Sequence, residues 1–355
     1  MSRPRLVLHI GPHKTGTTYL QSRLLRHADA LRARQGLNYV QAGLGPQYGH
    51  HKLCAELRHT GPAEAWAAAA QEWAQYPCHI VSCENFSRLP EAAVGTLAGL
   101  LAGLDVELCY LLRSPEALLY AMWQEQVKHG STLSLPEFLA PHLAEPECSK
   151  LLNPSVLLAP YLAAFEGRLR LLSYDAIRAS GETLVSALFA SLALGPPPAV
   201  NNAVENKSMR LERVETLRAL NAWEQGQQPP GQDSPHRRAD GALFNTRRFL
   251  EVANQSPSCW SRLLEAQKAS LAAPPPDPLR LLAVHQLRQQ FVAQHAQACV
   301  GPWPSTGVAP PNYSASLQSV QSDWLLRPGV PQALAELAGL VRQAEQEGLA
   351  TIAPA

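Results

Sequence analysis

The sequence predicts an α/β fold: a central parallel sheet between two layers of helices, three-layer α/β/α, with a helical C-terminal extension. Three observations carry that expectation. Short apolar runs of strand length recur at residues 6–10, 78–82, 106–112 and 169–174. Helix-patterned segments separate them, the order expected of a parallel sheet with covering helices. The first run passes directly through a glycine-rich turn into a helix.

Taken in order, Leu6, Val7, Leu8 and Ile10 form a partly β-branched run that stops at Gly11. Within 17–31, Leu20, Leu24, Leu25 and Leu31 recur at near-helical spacing among Arg and Gln, the pattern of one amphipathic helix against a sheet. A short strand at 37–40 leads into a glycine-containing stretch with His50, His51 and His59, then a strongly helix-forming segment at 63–75. Residues 78–86 predict a buried strand ending in polar residues, Glu84 among them, and 90–103 predict a helix. The strand at 106–112 ends in Arg113-Ser114-Pro115, where Pro115 suits the first turn of a helix running to Lys128. Segments 133–143 and 155–165 read as helices despite internal prolines. A strand at 169–174 and helices at 181–194 and 209–223 follow. Composition changes at 224–241, EQGQQPPGQDSPHRRADG, a linker-like stretch. The expected division is therefore 1–223 as the core and 224–355 as a mostly helical part with Pro-rich loops, its helices near 243–253, 279–298 and 332–347.

Composition excludes several functions. A net charge of +1 gives no general attraction to nucleic acid or anionic membranes. The longest apolar tract, 92–104, is broken by glycines and is too short for a bilayer span. The chain opens on a strand with no room for a secretory signal before it, so a soluble, cytoplasmic protein is expected. Seven scattered cysteines without a C-x-x-C pair read as free thiols, neither a disulfide framework nor a zinc site. The histidines of the 50–59 stretch have no carboxylate or Cys at evident ligand spacing, so no metal is expected.

The strand, loop and helix around 11–18 read G-P-H-K-T-G-T-T. Glycines let backbone N–H groups converge, the new helix presents its positive end, and Lys14 adds a mobile cation, so an anionic ligand is expected. In the common nucleotide-triphosphate loop, G-x-x-x-x-G-K-[ST], the Lys follows the second glycine. Here Lys14 precedes it. G-x-x-K-x-G-T-T after a strand resembles the 5′-phosphosulfate loop of the sulfotransferases that use 3′-phosphoadenosine 5′-phosphosulfate (PAPS), and the expected core is P-loop-like.

That resemblance implies roles residue by residue. Gly11, Lys14, Thr15, Gly16, Thr17 and Thr18 would hold the 5′-phosphosulfate, with Lys14 on the oxygen bridging phosphate and sulfate. Arg113 matches the family's 3′-phosphate arginine, although the Ser expected eight residues later is Ala121 here. Tyr174, in Ser173-Tyr174-Asp175, would border the adenine, and Tyr19 stands where many members place a stacking Trp. The base expected at the end of the second core strand is Glu84, with His51 or His50 reaching in from the loop as alternatives. Dehydration of the crevice would raise the Glu84 pKa and Lys14 would oppose the rise. The family's C-terminal basic contact has only Arg237-Arg238 and Arg247-Arg248 as candidates, which read as solvated charges. No catalytic metal is implied, because the transferred group carries a single negative charge.

The expected function is thus sulfuryl transfer from PAPS, leaving PAP, to an acceptor hydroxyl on a glycan, glycolipid or secondary metabolite. The acceptor walls would be the 49–59 loop, residues 130–150 and the Pro-rich tail. Two rivals stand beside it: a PAP-binding scaffold or regulator with little catalysis, and a P-loop kinase, which the placement of Lys14 disfavours. None of these motifs encodes an oligomeric state.

Overall fold

The computed structural model describes residues 3–197, 209–226, 237–238, 241–272, 278–301, 303 and 319–350. In chain order its first half holds β1 (Arg5–His9), α1 (Thr17–Arg26), α2 (Ala28–Gln35), β2 (Leu37–Tyr39), α3 (His51–Ala55), α4 (Glu64–Trp73), β3 (Cys78–Ser82), α5 (Glu91–Leu100) and β4 (Asp105–Leu112). There follow α6 (Pro115–Lys128), α7 (Leu135–Ala144), α8 (Pro154–Ala164), β5 (Leu169–Ser173), α9 (Tyr174–Ser180) and α10 (Leu184–Ser191). The remainder is α11 (Leu211–Gly226), α12 (Thr246–Gln255), α13 (Pro257–Lys268), β6 (Leu271–Ala272), α14 (Pro278–Gln294), β7 (Ser319–Val320) and α15 (Val330–Ala350).

The fold is α/β. A five-stranded sheet has the order β2-β3-β1-β4-β5, and every pairing in it is parallel. Alternation along each strand sends side chains to opposite faces. Leu6, Leu8, Val81, Leu108, Tyr110 and Leu171 enter one buried cluster, while Val7, Ile80, Cys109, Leu111 and Leu172 enter the other. Both faces are covered, α5 and α8 contributing to the first cluster and α1, α2 and α10 to the second, which is why these strands read as near-continuous apolar runs.

The chain separates into two compact units that interleave along the sequence. One comprises Met1–Pro115, Pro146–Lys207 and Ala283–Ala309; the other comprises Glu116–Glu145, Ser208–Leu282 and Pro310–Ala355. This division differs from a single break near 223: residues 116–145 and 208–223 group with later helices, and most of α14 groups with the sheet. The sheet unit contains every residue expected to carry chemistry apart from the candidate pairs Arg237-Arg238 and Arg247-Arg248; these belong to the second unit, as does Ala121, which is buried on α6. In the second unit, α11, α12 and α13 pack on α15. Its interior holds a buried ion pair, Arg218 Nε to Glu215 at 2.7 Å, with Arg218 also donating to the Thr132 carbonyl. Arg247 and Arg248 both pair with Glu251 on α12, as solvated charges do. The linker at 224–241 and the excursion at 301–322 fall largely outside the described residues.

Two local expectations are corrected. The single helix of 17–31 is two, because the chain bends at His27, whose φ of −106° and ψ of 11° end α1 before Ala28 starts α2. The strand expected through Tyr174 ends at Ser173, whose hydroxyl accepts from the Ala176 N–H and caps α9. Among the described residues no helix is long and apolar enough to cross a membrane.

Candidate anion site at the carboxyl end of the sheet

β1 is flanked by β3 and β4, with β2 beyond one and β5 beyond the other. Ligands of open parallel sheets bind beyond the carboxyl ends of strands where connections diverge to either side, as they do around β1. Hydrogen bonding continues past the strand itself: Cys83 N–H donates to the His9 carbonyl, and Leu111 N–H to the Gly11 carbonyl, each at 3.1 Å. Glu84, Gly11 and Arg113 therefore project from three adjacent strand ends.

The loop between β1 and α1 is shaped by backbone. Gly11 has φ +101°, and a Cβ there would lie 3.2 Å from the Cα and carbonyl of Glu84. Only glycine permits this approach to β3. Lys14 itself adopts a left-handed conformation, φ +67°. The Thr15 hydroxyl is fully buried and donates to the Pro12 carbonyl at 2.8 Å, so that side chain braces the loop. Gly16, φ +77°, precedes α1 without a side-chain cap, and Thr17, Thr18 and Tyr19 form the first turn. Amide donors of an uncapped first turn suit an anion. The Tyr19 ring lies under the Arg23 guanidinium, 5.3 Å from its centroid.

Arg113 closes the other side. Its Nη1 donates to the Lys14 carbonyl, joining the loop to the end of β4. Its guanidinium lies 5.2 Å from the Tyr174 ring centroid, and Arg178 approaches the same ring at 6.0 Å. The Tyr174 ring also stands 3.3 Å from where a Gly16 Cβ would be. Arg113 Nε is buried without a hydrogen bond. Burial lowers the Arg113 pKa, while Tyr174 and Asp175 raise it. Asp175 accepts from the Ser114 N–H, and Arg288 of α14 donates to the Arg113 carbonyl and to the Leu152 carbonyl. Among the described residues of the tail, Arg288 reaches this strand end, whereas the candidate pairs at 237–238 and 247–248 belong to the second unit.

Glu84 opens a 3-10 turn after β3 and is buried. Its Oε2 accepts from Gln21 Nε2 of α1 at 3.1 Å, and the same amide reaches Ser82 Oγ at 3.1 Å. Burial does push Glu84 up, but its own backbone N–H, His13, the Gln21 amide and His51 together hold it below the ordinary carboxylate value. His13, the third residue of the loop, is pushed down to about 4 by burial and by the Arg88 and Lys14 charges, against Glu84 and an Asn85 hydrogen bond. Its Nε2 is buried without a partner.

The two loop histidines separate cleanly. His50 is fully buried, accepts from the Ser82 N–H at 3.0 Å and meets the Val40 carbonyl at 2.8 Å, bridging the ends of β2 and β3. Both ring nitrogens are spent, which removes it as a base. His51 heads α3, with Nδ1 3.3 Å from Cys83 Sγ and 3.4 Å from Asn85 Nδ2, and Nε2 buried without a hydrogen bond. His59 is exposed past the end of α3. His13 and Gln21 went unrecognised as neighbours of Glu84; the only sequence signal was that Gln21 lies one turn beyond Thr17 on α1.

The chemistry this arrangement supports is anion binding at two points, the α1 first turn with Lys14 and the Arg113 guanidinium, beside a carboxylate and a neutral imidazole that can each take a proton. No protein-family model matches the chain, and no curated protein matches it.

Proposed function

We propose that this chain is a PAPS-dependent sulfotransferase acting in the cytoplasm on an acceptor hydroxyl of a glycan, glycolipid or secondary metabolite. The observation that carries the reading is the bond from Arg113 to the Lys14 carbonyl, which unites the Lys-x-Gly-Thr-Thr loop and the strand-end arginine in one site. The residues fit a ligand with two separated phosphates: the uncapped start of α1 offers amides, and Arg113 Nε is a buried donor without a partner. PAPS, when bound, supplies an activated sulfuryl group and PAP as its leaving group.

Lys14 and the amides of Gly16, Thr17 and Thr18 hold negative charge at the 5′ end and stabilise it where it grows. Arg113 fixes the 3′ end by paired donors, with Tyr174 and Tyr19 as aromatic surfaces for the base. Glu84, oriented by Gln21, accepts the proton of the acceptor hydroxyl. His13 beside it, neutral at physiological pH, is the second group able to carry that proton.

PAP should raise the melting temperature of the purified protein at low ionic strength, and sulfuryl transfer from labelled PAPS to extracted acceptors should follow. Stabilisation by ATP with Mg²⁺ but not by PAP would replace this reading by a kinase. A second reading, a PAP-binding regulator without turnover, is favoured by the lowered Glu84 pKa, since a weak base is poorly matched to removing a hydroxyl proton. It predicts PAP stabilisation with no transfer to any acceptor.

A further inference from the structure

Behind Glu84 the sheet unit gathers soft and borderline metal ligands. His51, Cys83 and Glu84 each bring one ligand atom within 4.8 Å of the other two. Cys54, buried on α3, neighbours Cys83 closely enough that each thiol perturbs the other's pKa. These four residues come from two short segments: His51 and Cys54 lie one turn apart on α3, on the same face, and Cys83 and Glu84 are consecutive at the end of β3. The Trp66 indole donates to the Leu53 carbonyl at 2.9 Å and anchors α3.

We propose that His51, Cys83 and Glu84 form a binding site for a zinc-class divalent ion, three protein ligands that leave a fourth position open. A tetrahedral zinc ion, with bonds of about 2.0–2.3 Å, holds its ligand atoms roughly 3.3–3.8 Å apart. The cluster therefore closes by at most about 1.5 Å, within reach of His51 and Glu84 side-chain rotation. A thiol and an imidazole select zinc, cobalt or copper over magnesium or calcium. Gln21 on the Glu84 carboxylate supplies an outer partner of the kind that orients metal ligands. An ion here withdraws Glu84 from proton transfer, so it inhibits; that consequence rests on Glu84 being the base proposed above, whereas binding does not.

The test is a cobalt(II) titration of the reduced, chelator-treated full-length protein carrying Cys148→Ser, which removes the exposed thiol. A near-ultraviolet thiolate-to-cobalt band, with visible bands of tetrahedral intensity, should saturate at one equivalent and vanish on adding zinc. Cys83→Ser and His51→Ala should each weaken binding by roughly tenfold or more. If Cys83→Ser melts early, His51→Ala and Glu84→Gln decide. Absence of the thiolate band, or a band indifferent to His51→Ala and Glu84→Gln, overturns the site. Because no nucleotide is present, cobalt binding without PAP stabilisation sinks the sulfotransferase reading alone, and the converse sinks the metal site alone.

Discussion

Lys14 has a proposed chemical role and a backbone cost, and the two can be separated. An L-residue in the left-handed region costs about 1–2 kcal/mol, which glycine avoids while adding about 0.5–1 kcal/mol of unfolded-state entropy. Lys14→Gly should therefore leave stability unchanged or slightly higher, yet lower transfer by roughly 10²–10³-fold or more, as loss of a transition-state charge partner does. Turnover assays paired with chemical denaturation check this; a variant that loses stability and activity together would mean that Lys14 merely holds the loop. Gly11→Ala should do the opposite, costing about 1–3 kcal/mol because its Cβ would crowd Glu84 in a disfavoured conformation. Glu84 titrates below its unfolded value of 4.5, so its share of stability is complete above that value and is lost as pH falls through the lower folded one. Transfer should accordingly show no acid limb from Glu84 above pH 4.5.

Strands and most helices were legible because burial on both sheet faces writes continuous apolar runs, and because Pro115 marks the start of α6. The bend at His27 and the start of α9 at Tyr174 were not, since local capping geometry decided them rather than periodicity. Nor did the sequence separate His50 from His51: neighbours in one loop, they differ because the carbonyl of Val40 and amide of Ser82 bracket only the first. The same blindness hid the meeting of α3 with the end of β3, which brings Cys54 to Cys83. Two structural histidines make a prediction at this scale. Burial pushes His9 and His50 down to about 4 from 6.5, so between those values the unfolded chain binds protons the folded one refuses. Stability should be full above pH 6.5 and fall as pH drops towards 4, by on the order of 3 kcal/mol for each histidine. Denaturant titrations across that range check it, and a flat profile would contradict it. On α7, Ser134 and Glu137 form a reciprocal capping box, so Ser134→Ala should cost about 1 kcal/mol.

At the scale of the molecule, the sheet unit assembles the candidate anion site from segments far apart in sequence: the loop after β1, the ends of β3 and β4, the start of α9 and one arginine of α14. The loop motif made the first of these visible, and strand-end logic the next two. Arg288 was invisible because nothing in its helical segment distinguishes it from other exposed-face arginines. The 49–59 stretch, expected as an acceptor wall, is divided in role, His50 supporting the sheet and His51 facing Glu84. The central claim is that this site takes a 3′-phosphorylated, 5′-phosphorylated adenosine, and thermal denaturation with PAP, ADP and ATP·Mg²⁺ at low ionic strength tests it most directly. The account predicts the largest upward shift with PAP and its loss in Arg113→Ala. Equal shifts with PAP and ADP, or a shift with ATP·Mg²⁺ alone, would contradict it.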